Sequence, residues 1–471
     1  MSGTVSTFLL LAVYFIIVMG LTLIFTRKSA TKEDFLVSDR NIGPWKMSLS
    51  IAATWIWAPA LFVSAQYAYE KGITGFLWFF IPNVVTLIFF GRIARKVRDV
   101  FPKGFTIAGF FKERYSRKTQ LVSTFELAFL SILSTAVQLV AGGTVLHLLA
   151  PNVPTIVLSI VMVSIAIIYS VYSGIRASVI TDDFQMATIL IPIIIFTIMV
   201  LATKGFTPLF TGLAGISGKF GNPFSVAGRG VMMTFGIITA IGLMSGPWGD
   251  QSFWQRVFSS EKSKIVTAFR WAAIQFAIVP IGMGIIGFVA AGSGFMAKNA
   301  GIANFEFIRA LFPPWTLYIF AFMMLSGLLS TVDSHLCAFA SLCSDLFPVK
   351  FTLPMTRWAM IILAVLAVGI ASLPSMTITN LFLTYGTFRA SVFLLTLLTL
   401  KDVMFDERGF IAGMITGMVV GTGLFVIGTI TKDNPMRLAG SLMAFLSPVV
   451  IASLGTLVYR GRLWLKYEGA R

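Results

Sequence analysis

Long apolar stretches, separated by short polar segments, run along the whole chain. Each stretch is close to the roughly 20 residues that an α-helix needs to cross the hydrocarbon core of a bilayer. The pattern predicts an all-α, polytopic membrane protein with about thirteen transmembrane helices, at residues 5–26, 46–70, 74–94, 120–146, 154–173, 177–203, 230–249, 266–292, 314–346, 353–373, 376–399, 410–430 and 438–459. No connecting segment is long enough to form a second domain, so we expect residues 1–471 to form a single transmembrane domain.

The amino-acid composition excludes two broad classes of protein. Hydrophobic residues make up 57% of the 471 residues and charged residues only 12%, against about 25% charged residues in a typical soluble domain. A soluble fold with so few charges would expose large apolar patches to water. A soluble enzyme and a disordered chain are therefore both excluded, and the expected surrounding is a lipid bilayer.

The net charge of +17 has a source other than nucleic-acid binding. The basic residues lie in short segments between apolar spans, as in membrane proteins whose cytoplasmic loops collect Lys and Arg. If the N-terminus is outside, the inside segments hold 26 basic residues and the outside segments hold 8. We therefore predict a multi-pass protein of the plasma or inner membrane, with the N-terminus outside, the C-terminus cytoplasmic and no nucleic-acid partner.

Two of the predicted spans are interrupted by proline. Pro59 follows Trp55 and Trp57 in the second span, and Pro247 precedes Trp248 in the seventh. Proline breaks the helical hydrogen-bond pattern, and a carbonyl freed at membrane depth can be satisfied by a bound ion or polar solute. The two spans lie five helices apart and therefore run in opposite directions, as in transporters built from inverted repeats. Two ordinary proline kinks are the alternative interpretation.

The ninth span carries a face of small hydroxyl groups. Ser326, Ser330 and Ser334 recur every four residues and therefore lie on one side of a helix. Such a face is either a surface for helix packing or a site for a hard cation, which prefers oxygen ligands. The residues by themselves leave both interpretations open.

A few ionisable and sulfur-containing groups also lie within the spans. Asp333 and Arg389 are at membrane depth, where an ionisable side chain is a functional hypothesis by default. Arg389 is alternatively a structural clamp on Asp182, on Asp333 or on backbone carbonyls. Cys337 and Cys343 lie six residues apart on different helical faces, so we expect no disulfide between them.

Three stretches of the sequence carry a resemblance to a known family. They are a glycine-containing turn with a Thr-Asp-x-x-Gln pattern, a Gln-Arg segment after the seventh span, and a serine-rich signature in the ninth span: residues 172–177 with 181–185, residues 250–256, and residues 329–334 with Ser341 and Asp345. Together they resemble the sodium:solute symporter family over about residues 5–460, and most closely its urea-transporting branch. The resemblance implies a LeuT-type fold with five plus five core helices in an inverted repeat.

The resemblance also divides the predicted domain. Residues 1–45 would form an extra N-terminal helix and loop, residues 46–204 the first repeat and residues 229–400 the second. Residues 401–471 would form two extra C-terminal helices and a tail.

A sodium site between core helices one and eight is implied by the same resemblance. Its ligands would be three carbonyls and two hydroxyls, from Ala53, Ile56, Gly327, Ser330 and Thr331. Asp182 matches an acidic family residue linked to sodium passage, and Asp333 is a second candidate for ion coupling. Sodium would be the coupling ion and not a permanent cofactor.

The expected solute is a small polar organic molecule. The Trp-Ile-Trp sequence at the first break resembles the urea-transporting branch, so we expect urea or a similar small amide to bind at Trp55, Trp57, Trp248 and Gln251. Aromatic walls with few charges suit a compact neutral solute, although ring faces also attract cations. A small amine therefore remains an alternative.

The function predicted from the sequence is sodium-coupled symport of such a solute into the cell. The alternatives are proton-coupled symport of a small amine, amino acid or carboxylate, a non-transporting membrane sensor on the same fold, and a passive channel. An enzyme is not expected, because the chain shows no nucleophile, base and acid set and no metal-ligand spacing. The expected partners are the small-molecule solute, sodium and lipid, with no obligate protein partner.

Overall fold

A computed structural model of the protein describes residues 3–29, 31–347, 351–373 and 377–468. The described residues form α-helices, short 3-10 and π-helical segments, and one isolated bridge between Ile42 and Ser260. The helices are α1 Gly3–Phe25, α2 Lys32–Val37, α3 Pro44–Trp55, α4 Ala58–Leu61, α5 Val63–Val100, α6 Ile107–Arg114, α7 Arg117–Leu149, α8 Thr155–Ser173, α9 Ile175–Lys204, α10 Thr207–Gly212, α11 Val226–Val231, α12 Ile237–Met244, α13 Gln251–Ser259, α14 Ile265–Gly292, α15 Ala303–Leu311, α16 Pro314–Leu346, α17 Leu353–Ala371, α18 Ile378–Leu400, α19 Glu407–Thr416, α20 Thr422–Ile430 and α21 Asn434–Glu468.

Twelve helices of the described residues are long and apolar enough to cross a membrane, counting α11–α12 and α19–α20 as continuous through the π-helical segments that join them. They correspond to every predicted span except the second, although residue 376, the predicted start of the eleventh span, lies outside the described residues. The second span, predicted at 46–70, is present in three pieces: α3, α4 and the first turns of α5. Among the described residues, the thirteen predicted spans are therefore present as twelve continuous helices and one discontinuous span.

Gly72 separates the discontinuous span from the next one. Its backbone is non-helical, with φ 54° and ψ −153°, inside the otherwise helical α5. A Cβ at this position would lie 2.2 Å from the Leu213 carbonyl oxygen, and the next residue, Ile73, donates its N–H to that same oxygen at 2.8 Å. The conformation is one that essentially only glycine adopts. The chain can therefore turn here while packing directly against the 213–215 segment.

The segments that connect the helices gather at two opposite ends of the bundle. At one end, Ile42 N–H donates to the Ser259 carbonyl at 3.1 Å and Arg40 donates to the Gly104 carbonyl at 2.7 Å. At the other end, Tyr69 Oη–H donates to the Phe295 carbonyl at 2.9 Å. Segments that the charge count assigns to one side of the membrane thus contact each other. Which end faces the cytoplasm remains a prediction.

Helix α16 lies at the centre of the bundle. It is buried along nearly its whole length and packs against α7, α8, α9 and α17, with α3 and α13 also in contact. The peripheral α1, by contrast, buries few residues and presents apolar side chains outward. Polar groups on α16 therefore lie far from the lipid and must find their partners inside the protein.

Candidate functional site

The first break in the fold lies between α3 and α4. The helix stops at Trp55, Ile56 adopts φ −83° and ψ 65°, and Trp57 is extended at φ −90° and ψ 178°. Helix α4 restarts at Ala58, whose N–H donates to Gln138 Oε1 of α7 at 2.8 Å, and Pro59 lies in its first turn, where a missing N–H costs nothing. The sequence prediction of a broken helix at this point is confirmed.

Four of the five predicted sodium ligands meet where this break faces α16. Thr331 Oγ1 donates to the Gly327 carbonyl at 3.1 Å and to the Thr54 carbonyl at 3.2 Å. Gly327 approaches Ile56 so closely that a Cβ on it would lie 2.9 Å from the Ile56 carbonyl oxygen. The Ala53 carbonyl accepts only a long bond, 3.2 Å, from Ile56 N–H. The arrangement is a buried group of neutral oxygens, which is the chemistry that a hard cation requires.

Ser330, the fifth predicted ligand, is directed elsewhere. Its hydroxyl donates to Asp182 Oδ1 at 2.5 Å. The other oxygen of Asp182 accepts from Ser50 at 2.5 Å and from Arg256 Nη2 at 3.1 Å. Both partners of this ion pair are completely buried. Ser330 therefore connects the oxygen group to a carboxylate that already has a cation.

Asp333 belongs to the same buried network but has a different set of partners. Its Oδ2 accepts from the Tyr169 hydroxyl at 2.6 Å, and its Oδ1 accepts from Ser178 at 2.7 Å and Ser334 at 3.3 Å. Among the described residues no cationic group lies within ion-pair distance of it. The network thus holds two carboxylates and the single guanidinium of Arg256.

The second break follows α12. The chain turns through residues 245–250 before α13 begins at Gln251, with Asp250 as the N-cap that accepts from the Ser252 N–H at 2.8 Å. The carbonyl of Gly242, in the last turn of α12, accepts from Arg389 Nε at 2.7 Å. Of the proposed clamping roles for Arg389, the bond to a backbone carbonyl is the one present. Asp182 pairs with Arg256 instead.

Arg389 and the two tryptophans of the first break form an aromatic cluster. The guanidinium carbon lies 5.6 Å from the ring centres of Trp55 and Trp57 and 4.6 Å from that of Tyr385. Trp55 and Trp57 are stacked at 6.2 Å with an angle of 23° between their planes. Further aromatic rings pack against the two tryptophans: Phe253 and Phe276 against Trp55, and Phe382 against Trp57.

The other two predicted solute-binding residues lie in different surroundings. The Trp248 ring packs on Phe90 and Phe393, with ring centres 5.2 Å apart in both pairs. The Gln251 amide donates to the Phe105 carbonyl at 2.9 Å and to Ser341 Oγ at 3.1 Å. Its donors are therefore engaged by the segment before α6 and by α16, and only Trp55 and Trp57 remain as direct partners in the aromatic cluster.

Tyr385 and His335 are site residues that the sequence analysis did not identify. Tyr385 Oη–H donates to Asp250 Oδ2 at 3.2 Å, and His335 Nε2 lies 3.3 Å from the same oxygen. His335 Nδ1 is 2.8 Å from the Thr331 carbonyl. A continuous path of polar contacts therefore joins the oxygen group at Thr331 to the aromatic cluster. The signal available in the sequence was a histidine and a tyrosine inside apolar spans.

Comparison with known proteins identifies the family. A model of the sodium:solute symporter family matches residues 35–417. The chain belongs to this family. Membership places it among membrane transporters and confirms that it is not an enzyme.

Individual relatives are distant but cover most of the chain. A spermidine transporter of Candida albicans is 25% identical over 420 residues, which are 86% of this chain and 76% of that protein. A urea-proton symporter of Oryza sativa subsp. japonica is 20% identical over 88% of this chain, but the match spans only 65% of that longer protein. The solved structure of a sodium-coupled sialic acid symporter superposes with a TM-score of 0.76 at 16% identity, over 95% of this chain and 98% of that one. This likeness confirms the predicted LeuT-type fold.

Proposed function

We propose that the protein is a secondary active symporter that carries a small polar organic solute into the cell together with sodium. The observation that supports this most directly is the meeting of carbonyls from the broken α3 with Gly327 and Thr331 of α16. A bare cation inside a membrane needs several oxygens in place of its water, and an interrupted helix supplies carbonyls that no helical bond takes up.

In this proposal sodium is held by Ala53, Ile56, Gly327, Ser330 and Thr331. Asp182 lies one hydroxyl away, through Ser330, and contributes negative charge to the neighbourhood of the ion. Because the ligands belong to α3 and α16, bound sodium would hold these two helices in one relative position. The solute site at the break of α3 would be formed at the same time, which couples the two binding events.

The proposed solute is small and has a planar polar group that fits beside Trp55 and Trp57. Both rings are only 2% exposed, so a large solute would require extensive rearrangement. Urea or a similar amide is the expectation from sequence. The names of the relatives, a spermidine transporter and a urea-proton symporter, do not agree on one solute.

Proton coupling is the second candidate for the driving ion. The observation that favours it is Asp333, a buried carboxylate held by three hydroxyls and without a cation partner among the described residues. A lone carboxylate in the membrane interior is costly unless a proton or a cation neutralises it.

The test is uptake into proteoliposomes loaded with purified protein. Labelled solutes are supplied with an inward sodium gradient, with an inward proton gradient, or with neither. We expect accumulation above the external concentration only with the sodium gradient. Accumulation that follows only the proton gradient would favour the second candidate, equilibration without accumulation would indicate a channel, and binding without uptake would indicate a sensor.

A further inference from the structure

The aromatic cluster around Arg389 contains more hydrogen-bond donors than the protein uses. Arg389 is completely buried and employs its Nε on the Gly242 carbonyl, whereas Nη1 and Nη2 have no hydrogen-bond partner among the described residues. The indole Nε1 atoms of Trp55 and Trp57 likewise lack a partner. All four groups are N–H donors, and none of them can accept a hydrogen bond.

The nearest carboxylate does not satisfy these donors. Asp250 is the charged group linked to the cluster, through the Tyr385 hydroxyl. Its Oδ1 accepts from the N–H and the hydroxyl of Ser252, and its Oδ2 from Tyr385, with His335 Nε2 at 3.3 Å. A carboxylate offers about four acceptor positions, so three of those of Asp250 are taken by these hydrogen bonds, and none of the bonds comes from Arg389. No acidic oxygen of the described residues lies within ion-pair distance of Arg389.

The three aromatic faces offset only part of the cost of this charge. A cation over a ring is attracted by the ring quadrupole, but ring faces leave the N–H groups of the guanidinium without acceptors, and an unmet buried donor is costly. Such a set of donors is suited to a planar group with two acceptor oxygens. A carboxylate meets this requirement, because it binds guanidinium through two parallel hydrogen bonds and brings the missing negative charge.

We infer that the solute carries a carboxylate, which binds Arg389 through Nη1 and Nη2 and accepts further bonds from Trp55 and Trp57. This inference rests on the proposed function, since it names the solute class of the same transport site. It ranks a small carboxylate above an isosteric amide or urea, which offer one acceptor oxygen and no charge. It places polyamines last, because a second cation beside a buried guanidinium is repelled strongly at low dielectric.

The test compares solutes of matched shape on the purified full-length protein. Lactate, lactamide, urea and putrescine are titrated in detergent while thermal unfolding is followed, because a ligand that binds the native state raises the unfolding temperature. Uptake of labelled lactate and lactamide into proteoliposomes is measured in parallel. We expect lactate to bind about 10- to 150-fold more tightly than lactamide, as for hydrogen bonds to a charged group.

Variants separate solute binding from a purely structural role. Arg389→Gln keeps N–H groups for the Gly242 carbonyl but lacks the charge, and we expect it to abolish the preference for lactate over lactamide. Trp57→Phe keeps an aromatic ring but removes one donor, and it should reduce lactate binding by roughly 2- to 12-fold. Arg437→Gln is the matched control, because Arg437 belongs to α21 and packs over the Phe425 ring, away from the aromatic cluster. The preference of this variant for lactate should equal that of the wild type.

The outcomes distinguish this inference from the proposed function. Lactate binding that needs Arg389, without accumulation under any ion gradient, would contradict symport and leave the carboxylate site standing. Equal binding or uptake of lactate and lactamide would overturn the inference, as would a lack of any lactate effect. If Arg389→Gln and Trp57→Phe weaken all solutes equally, the arginine is a structural clamp and the inference is wrong.

Discussion

Thr331 is the residue at which the proposed sodium site can be tested most simply. Its hydroxyl contacts two backbone carbonyls at the α3–α16 contact, and Thr331→Ala removes this oxygen without adding bulk. A bond to a charged partner contributes about 1.5–3 kcal/mol, so the sodium concentration for half-maximal uptake should rise about 10- to 150-fold. Thr331→Ser keeps the oxygen and should have a small effect.

The control for this measurement is Thr396→Ala. Thr396 is also buried, and its hydroxyl donates to the Val392 carbonyl of its own helix at 2.7 Å. It should leave the sodium dependence unchanged. If Thr331→Ala takes up solute with normal sodium dependence, the ion binds elsewhere.

The ion pair of Asp182 and Arg256 leads to a prediction about stability. Asp182→Asn leaves the guanidinium of Arg256 buried without its counter-charge, which costs about 3–5 kcal/mol in comparable pairs. Combining Asp182→Asn with Arg256→Gln removes both charges and should restore much of the loss. Thermal unfolding of the purified variants tests this, and a single variant as stable as wild type would show that the pair contributes little.

At the scale of single residues, the sequence indicates which residues to consider but not which side chains they contact. Gly327, Ser330 and Thr331 were assigned together from the family resemblance, and all three lie on α16. The pairing of Asp182 with Arg256 could not be predicted, because it joins side chains 74 positions apart. Gln251 was assigned to the solute site since it follows the second break, but the capping turn at Asp250 begins a new helix there and its amide meets Phe105 and Ser341.

At the scale of elements, glycines with unusual backbone angles fix where the helices turn. Gly72 and Gly205 adopt nearly the same conformation, with φ 54° and ψ −153° and with φ 74° and ψ −176°. A Cβ on Gly205 would meet nothing within 4 Å, whereas one on Gly72 would lie 2.2 Å from the Leu213 carbonyl oxygen. An alanine at Gly205 would therefore meet only backbone strain, whereas an alanine at Gly72 would meet the same strain and a steric clash as well.

We expect Gly205→Ala to destabilise the protein by about 1–3 kcal/mol, the usual cost of this conformation in a residue other than glycine. Gly72→Ala should be more destabilising, since the 213–215 segment must also move away. Thermal unfolding in detergent gives the comparison. Equal losses in the two variants would mean that the contact between Gly72 and residue 213 is easily displaced.

The helices themselves were largely predictable, and the reason is physical. A membrane span needs a long apolar run, and proline marks the place where such a run is interrupted, as in the segment from α3 to α4. The π-helical segments Met232–Gly236 and Gly417–Gly421 were not predicted, because a one-residue change in hydrogen-bond spacing leaves the apolar pattern almost unaltered.

At the scale of the whole molecule, the remaining prediction is the orientation in the membrane. The connecting segments gather at two ends, and the end that includes residues 95–119 holds most of the basic residues, which places it in the cytoplasm.

Lys112 and Ser217 are exposed residues at opposite ends, so each serves as the site of a single cysteine after Cys337 and Cys343 are replaced by alanine. An impermeant maleimide added to intact cells should label Ser217→Cys and should label Lys112→Cys only after the cells are permeabilised. Because both positions are exposed in the folded protein, each single-cysteine variant is the accessibility control for the other. Labelling of Lys112→Cys in intact cells would show that the topology is the reverse of the predicted one.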